Sequence, residues 1–315
     1  MERPRDRREV AHRGAAAVGQ GSRGQAAGAA ARPPAPIRAQ AVRIVVTGAA
    51  GQLGRSLRAP LAAHEVTLVP RADLDVTDLA AVRAALASLR PDVVINAAAY
   101  NRVDDAEADA TDAYRGNALA PRNLALATAE RGVPVVHVST DYVFDGSGTR
   151  PYHEYDAPNP QSAYGRSKLA GELAVREINA RHYVVRTAWV YHEQGANFPR
   201  TMLSLASRPE VRVVDDQRGC PTYAPHLAQA IARLIETGAF GTYHLAGAGS
   251  VTWYGLTRTL FALRGIATPV VPVTTDEFPR PAPRPRYSVL TSIQEPRIVL
   301  PAWEQGLEEF CRALP

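Results

Sequence analysis

Short apolar runs alternate with helical patterns through residues 42–190, and this alternation restricts the fold more than any other feature of the chain. We predict strands at 43–47, 66–69, 93–97, 135–139 and 183–187. Between them we predict helices at 53–63, 79–89, 106–131 (with breaks near Gly116 and Pro121) and 163–180. This order indicates an α/β fold with a doubly wound, parallel sheet of the Rossmann type. Right-handed crossovers place the carboxyl ends of all strands at one edge, where ligands bind.

The two flanking segments differ from this central part. Residues 1–41 are rich in Ala, Gly, Arg and Pro with almost no large apolar side chain, so we expect a disordered basic tail. Residues 191–315 carry predicted helices at 197–206, 226–237 and 303–314 and a loop rich in Pro and Arg at 278–288. We predict that they form mainly a smaller C-terminal lobe that binds substrate, with some segments returning to the sheet domain.

The net charge of +5 belongs to the tail, since residues 1–40 contain eight arginines and three acids and the remainder sums to zero. A neutral body argues against nucleic acid as the main partner. No apolar run approaches the length that spans a bilayer, and the two cysteines have neither metal nor redox spacing. These features predict a cytoplasmic protein without a membrane partner.

Glycines at positions 48, 51 and 54 lie directly between the first predicted strand and the first predicted helix. This spacing allows a tight turn and a close approach of the backbone to a pyrophosphate, and the helix N-terminus adds N–H donors. Its place at the start of a βαβ unit favours a dinucleotide-binding turn formed by Gly48, Gly51 and Gly54. Residues 42–190 are therefore predicted to be a dinucleotide-binding domain; a tight turn without ligand is the alternative.

The end of the second strand bears on the choice between NAD and NADP. NAD-binding proteins usually place an acid there, whereas this chain has Arg71. Arg71 indicates a partner for the 2′-phosphate of NADP, or else it is a solvated surface arginine. Asp73 and Asp75 follow closely, which leaves NAD open.

Tyr164 and Lys168 lie four residues apart in a predicted helix, so their side chains share one face. Reduction of a ketone produces an alkoxide that needs a proton, and a tyrosine hydroxyl can donate it. A neighbouring ammonium lowers the pKa of that hydroxyl. Lys168 is the one lysine among 36 lysines and arginines, and the broad planar head of arginine would not substitute for it here. We predict that Tyr164 is the proton donor and Lys168 its partner.

Thr140 ends the fourth predicted strand, at the ligand edge of the sheet. A hydroxyl there can hydrogen-bond a substrate carbonyl and orient it, or it can cap the strand end. Small residues at 97–99 end the third strand and let the backbone approach a cofactor, or pack as in any strand.

These motifs together resemble the extended short-chain dehydrogenase/reductases, and within them the dTDP-4-dehydrorhamnose reductase family. The most specific fragments are the run Ser-Thr-Asp-Tyr-Val-Phe-Asp-Gly at 139–146 and Arg-Pro-Ala-Pro-Arg-Pro at 280–285. The resemblance extends from residue 42 to about residue 303. It implies an NADPH-dependent oxidoreductase that reduces the 4-keto group of a dTDP-linked 4-keto-6-deoxysugar, by analogy dTDP-4-dehydrorhamnose to dTDP-L-rhamnose.

The resemblance also implies residue roles. Tyr164 would donate the proton, and Lys168 would contact both the phenol and the nicotinamide ribose. Thr140 and Asp141 would bind the sugar, and Trp189 would lie against it. The remaining residues along the dinucleotide would be Gly51, Gln52, Leu53, Asp75, Val76, Ala99, Tyr100 and Asn101.

Departures from the family pattern leave three points open. Some members bind Mg²⁺ through glutamates at a dimer interface, but Ser56 holds one of those positions, so we predict no metal and leave a homodimer open. Asn101 and Val138 replace residues frequent in the family and leave room for a related 4-ketosugar.

Two other activities remain as alternatives. A protein of this architecture can be a non-catalytic NADP-binding regulatory subunit, as in methionine adenosyltransferase, although Thr140, Tyr164 and Lys168 argue against that. It can also be an epimerase or a dehydratase. A dehydratase needs an additional acid after Asp141, where this chain has Tyr142.

Overall fold

A parallel sheet of six strands forms the centre of the structure, a computed structural model that describes residues 41–315. In chain order the strands are β1 (Arg43–Thr47), β2 (Glu65–Val69), β3 (Val93–Asn96), β4 (Val135–Thr140), β5 (His182–Thr187), β6 (Val190–Tyr191), β7 (Val211–Val214), β8 (Arg218–Gly219), β9 (Thr222–Tyr223), β10 (Gly241–His244), β11 (Val251–Thr252) and β12 (Val270–Val273). The central sheet has the order β10-β5-β4-β3-β1-β2, and every pair in it is parallel. This confirms the predicted fold class. Apart from Ala41, the predicted tail lies outside the described residues.

Ten α-helices connect these strands within residues 41–315. They are α1 (Gln52–Ser56), α2 (Leu79–Leu89), α3 (Asp105–Ala108), α4 (Ala110–Tyr114), α5 (Ala120–Ala129), α6 (Ala163–Ile178), α7 (Phe198–Ser204), α8 (Ala224–Ile235), α9 (Trp253–Leu263) and α10 (Trp303–Ala313). A π-helical turn, Arg115–Leu119, joins α4 to α5, and a 3-10 turn, Asp141–Val143, follows β4. None of these helices is long and apolar enough to cross a membrane.

Alternate side chains of the central strands pack into two apolar layers, one on each face of the sheet. Ile44 and Ile95 point into the layer that contains α8, whereas Val45 and Val94 point into the layer that contains α2 and α5. Because both faces are covered, the inner strands β1, β3 and β4 are rich in Val and Ile and almost fully buried. The polar groups of the site can therefore appear only where these strands end.

Two predicted helices differ from those observed. The helix predicted at 53–63 ends at Ser56 and continues as turns, because Pro60 lacks the N–H that a longer helix needs. Leu57 and Leu61 are still fully buried, which explains the helical pattern. The helix predicted at 106–131 is divided into α3, α4, the π turn and α5, and the Asp109 side chain accepts from the N–H of Thr111 at the start of α4.

Contacts at its N-terminus fix the start of α6. The Ser162 hydroxyl accepts from the N–H of Gly165 at 3.0 Å, and a Glu107 carboxylate oxygen accepts from the N–H of Ala163 at 2.7 Å. Farther along the helix, a Cβ at Gly171 would lie 2.0 Å from the carbonyl oxygen of Asn117, so only glycine allows α6 to contact the π turn. These contacts set the position of every later side chain on α6.

The segment after β5 builds a separate apolar cluster of its own. It packs Tyr191, Met202, Leu260 and Phe310 together, away from the two layers of the sheet. The same segment also supplies β10, the edge strand that pairs with β5.

Arg186 of β5 and Glu172 of α6 form an ion pair in the interior. The guanidinium Nε and Nη2 donate to the Glu172 carboxylate, with a shortest distance of 2.7 Å. Both side chains are at most 1% exposed, so water compensates neither charge. Each charge therefore depends on the other.

Removal of one member should destabilise the protein strongly. We expect Arg186→Met to lower the free energy of unfolding by about 3–5 kcal/mol, because Glu172 is left as an uncompensated buried charge. The exposed pair Arg83 and Glu130 is the matched control, and Arg83→Gln should lower the free energy of unfolding far less, because water solvates both charges. Urea unfolding followed by circular dichroism measures both, and equal losses would show that burial does not decide the effect.

Candidate active site

Two neighbouring cavities open at the carboxyl-terminal edge of the sheet. The first cavity, of about 480 Å³, lies beyond β1 and β2 and contacts these predicted residues: Gly48, Arg71, Asp75, Val76, Ala99, Tyr100 and Asn101. The second cavity, of about 370 Å³, lies beyond β4 and β5 and contacts these: Gly51, Gln52, Leu53, Ala99, Asn101, Thr140, Asp141, Tyr164, Lys168 and Trp189. Ala99 and Asn101 line both, so together the cavities form one elongated crevice.

The glycine turn after β1 leaves the backbone uncovered by side chains where the crevice begins. Gly48 has φ +72°, and a Cβ there would lie 2.4 Å from the nitrogen of Ala98. The N–H of Gly51 donates to the carbonyl oxygen of Gly48 at 3.0 Å and closes the turn. Gly54 lines neither cavity; a Cβ there would lie 2.4 Å from the Gly48 oxygen, so its function is close packing. A turn of this kind fits a pyrophosphate held by backbone N–H groups.

Asn96 holds the small residues that separate the two cavities. Its carboxamide oxygen accepts from the Thr47 hydroxyl at 2.8 Å and from the N–H of Ala98 at 3.1 Å. Asn96 is 1% exposed and also contacts the ring of His137 at 3.2 Å. This buried network explains why the backbone at 97–99 stays close to the crevice.

Lys168 is buried at the side of the second cavity. Its Nζ donates to the carbonyl oxygen of Val138 at 2.6 Å, and the residue is 2% exposed. Burial lowers the pKa of Lys168 to about 8, and the Glu172 carboxylate acts in the opposite direction. The ammonium is therefore poorly solvated, and it loses its proton at a lower pH than an exposed lysine does.

The pKa expected for Tyr164 from the sequence is wrong in sign. Burial raises the pKa of the Tyr164 hydroxyl, the neighbouring Thr140 hydroxyl lowers it, and the Asp141 carboxylate raises it. The lowering expected from Lys168 is absent; its ammonium donates to the main chain of β4. Tyr164 consequently stays protonated, as a proton donor must be before reaction.

Three buried polar atoms at the second cavity have no hydrogen-bond partner among residues 41–315. They are the Ser139 hydroxyl, Oδ2 of Asp141 and the Thr187 hydroxyl. The other Asp141 oxygen accepts from the Thr140 hydroxyl at 3.0 Å. A buried polar group without a partner is unfavourable, so this wall fits a ligand rich in hydroxyl and carbonyl groups.

Trp253 completes the second cavity and was missed by sequence reasoning. Its ring stacks on Trp189 with centroids 3.3 Å apart and planes at 5°. Trp189 has φ +48°, and a Cβ at Gly219 would lie 2.5 Å from its ring, so the indole is tightly confined. Trp253 starts α9, far along the chain, and no local sequence signal marks it.

Arg115 and Gly116, on the π turn, also line the first cavity without having been predicted.

Among residues 41–315, no group of three or more His, Cys, Asp and Glu side chains could hold a metal ion. Ser56, at the position where some relatives have a glutamate, donates its hydroxyl to the carbonyl oxygen of Gln52 at 3.0 Å.

Comparisons with known proteins identify the family of the chain. Residues 42–314 match the sequence model of the RmlD substrate binding domain. A dTDP-4-dehydrorhamnose reductase of Streptomyces griseus is 46% identical over 260 residues, 79% of this chain and 85% of that protein. A dTDP-4-keto-6-deoxy-D-glucose reductase of Streptomyces niveus is 46% identical over 254 residues, 79% of this chain and 88% of that protein.

A similar crystal structure is that of dTDP-4-dehydrorhamnose reductase from Bacillus anthracis str. Ames in complex with NADP. Its TM-score is 0.84 at 38% sequence identity, covering 86% of this chain and 99% of that chain. These matches confirm the predicted family resemblance.

The raised pKa of Asp141 makes the stability of the protein depend on pH. Burial raises the pKa of Asp141 to about 6, whereas in the unfolded chain this carboxyl ionises near pH 4. Stability should therefore fall as the pH rises from 4 to 6, since folding then buries a charge. Asp141→Asn should raise the free energy of unfolding by about 3 kcal/mol at pH 7.5 and by much less at pH 4. Urea unfolding at both pH values measures this, and an equal gain at both would contradict it.

Proposed function

The chain belongs to the dTDP-4-dehydrorhamnose reductase family, and we propose that it uses NADPH to reduce the 4-keto group of a dTDP-4-keto-6-deoxyhexose. The preferred substrate is dTDP-4-dehydrorhamnose and the product dTDP-L-rhamnose. The observation that carries the proposal is that one cavity brings Thr140, Tyr164 and Lys168 together beside the glycine turn. Several relatives at 37–46% identity are named for that substrate, which supports the choice of sugar.

The crevice fits a dinucleotide along its whole length. The turn at Gly48 and Gly51 would hold the pyrophosphate, and Arg71 would contact the 2′-phosphate. Asp75 would lie by the adenosine, and Lys168 would contact the nicotinamide ribose. When bound, NADPH supplies the hydride that adds to C4 of the sugar.

The protein's own groups orient the ketone and protonate it. Thr140 would hydrogen-bond the C4 carbonyl oxygen, and Tyr164 would give its hydroxyl proton to that oxygen as negative charge develops. The Lys168 ammonium favours the phenolate that is left behind. Asp141 would accept from sugar hydroxyls through its unpartnered oxygen, and the Trp189 indole would cover the ring and exclude water.

We also retain the predicted domain division and location. Residues 42–190 would be the dinucleotide-binding domain, and 191–315 mainly the substrate-binding lobe, with β10 returning to the sheet. Both cysteines, Cys220 and Cys311, are free and buried, which supports a reducing compartment such as the cytoplasm. A homodimer stays a prediction.

Turnover with and without the phenol tests the function directly. The purified chain should oxidise NADPH in the presence of dTDP-4-dehydrorhamnose, with the product stereochemistry read by NMR. Tyr164→Phe should lower kcat about a thousandfold, because the proton donor is lost, while NADPH binding is retained. Tyr142→Phe, whose ring lies 5.6 Å from that of Tyr164, is the matched control and should lower kcat less than tenfold.

The outcomes separate the alternatives. Binding of NADPH without turnover in the wild type would favour a regulatory subunit. NAD retained through purification would favour an epimerase.

The pH dependence should report the charge on Lys168. Because burial places the pKa of Lys168 at about 8, the charged form is lost as the pH rises through that value. We expect kcat/KM to fall above pH 8. Lys168→Arg should be slower throughout, and the fall near pH 8 should disappear because arginine stays charged. An unchanged fall near pH 8 in that variant would assign it to another group.

A further inference from the structure

The first cavity carries more positive charge than the predicted residues account for. Besides Arg71 it is lined by Arg102 and Arg115, and its acidic residues are Asp75 and Asp112. The three arginines lie on different segments: one follows β2, one follows β3 and one begins the π turn. Such convergence at a single cavity indicates an anionic ligand group.

Arg102 differs from the other two arginines. Its Nε lies 3.5 Å from a carboxylate oxygen of Asp105, and its guanidinium lies 5.0 Å from the centre of the Tyr100 ring. Within residues 41–315, neither Arg71 nor Arg115 forms an ion pair. The charges of Arg71 and Arg115 are therefore available to a ligand, whereas that of Arg102 is already compensated.

Both available guanidinium groups act on the same carboxylate. Arg71, Asp75 and Arg115 line the same cavity, and both arginines help to lower the pKa of Asp75, after the hydrogen bonds from Thr77. Oδ1 of Asp75 is held by the N–H and hydroxyl of Thr77, at 2.9 and 2.8 Å. Asp75 is thus a fixed carboxylate in the cavity that both arginines line.

The π turn gives Arg115 a defined position. Asn117, fully buried two residues later, accepts from the N–H of Tyr100 at 2.9 Å and donates to its carbonyl oxygen at 3.0 Å. It also donates to the Ser167 hydroxyl of α6 at 3.0 Å. The start of the turn is therefore anchored to the crevice wall, and a π turn of this kind is typical of functional sites.

We propose that Arg115 is a specificity-determining residue that binds the 2′-phosphate of NADPH together with Arg71, an inference that rests on the proposed use of NADPH. A phosphate monoester carries nearly two negative charges at neutral pH, and two guanidinium groups match it in charge and in planar hydrogen-bonding geometry. NADH has a neutral hydroxyl at this position and leaves both cations unpaired. Asp75 alone would favour that hydroxyl, and the two arginines reverse the preference.

Calorimetric titration with 2′,5′-ADP and with ADP isolates the phosphate. These probes differ only at the 2′ position, so the ratio of their Kd values measures what that phosphate adds. We expect the wild type to prefer 2′,5′-ADP, and Arg115→Gln to reduce the ratio about tenfold while ADP binding is unchanged. Arg71→Gln should act similarly, and Arg115→Lys should keep part of the preference. The control Arg83→Gln, at an arginine of α2 that lines neither cavity, should keep all of it.

Other results would overturn the inference. If Arg115→Gln weakens both probes equally, the guanidinium stacks on the adenine or contacts the pyrophosphate instead. If the wild type binds ADP as tightly as 2′,5′-ADP, or if Arg115→Gln retains the full ratio, Arg115 does not read the phosphate. Because neither probe needs a sugar substrate, the titration stands apart from any failure to observe reductase activity.

Discussion

The start of α6 is fixed by side-chain hydrogen bonds, and the position of the reacting groups depends on it. Ser162 and Glu107 occupy N–H groups of the first turn, so Tyr164 lies in that turn and Lys168 lies one turn later on the same face. Gly171 then lets the helix contact the π turn without a steric clash. A shift of one residue would rotate both side chains by about 100° away from the cavity.

The same helix also carries Glu172, which follows Lys168 by one turn. Its carboxylate favours the charged form of Lys168, yet it is held by Arg186 in a two-pronged ion pair. Without that guanidinium, a buried ammonium and a buried carboxylate on adjacent turns would pair with each other. The Arg186 side chain consequently leaves Lys168 free to contact the carbonyl of Val138 and the cavity beside it.

Local patterns in the sequence were sufficient for five strands of the central sheet and for most of the crevice, but not for the edge strand β10. The Val- and Ile-rich strands, the glycine turn and the four-residue spacing of Tyr164 and Lys168 are all short-range signals. The features that the sequence did not predict depend on contacts between distant segments or on steric effects. Trp253 reaches the cavity from a distant helix, Arg115 depends on a π turn that periodicity does not reveal, and Pro60 shortens α1 although the apolar pattern continues.

The direction of the pKa shift of Tyr164 was predicted wrongly for a chemical reason. Spacing along a helix shows that an amine and a phenol share a face, but it cannot show how far both are removed from water. Here burial prevails for both groups, raising the pKa of Tyr164 and lowering that of Lys168. Asp141 adds to the effect on the phenol, so the resting site favours a phenol that keeps its proton. Transfer of the Tyr164 proton then becomes favourable only when a stronger base, the alkoxide formed by reduction, lies beside the hydroxyl.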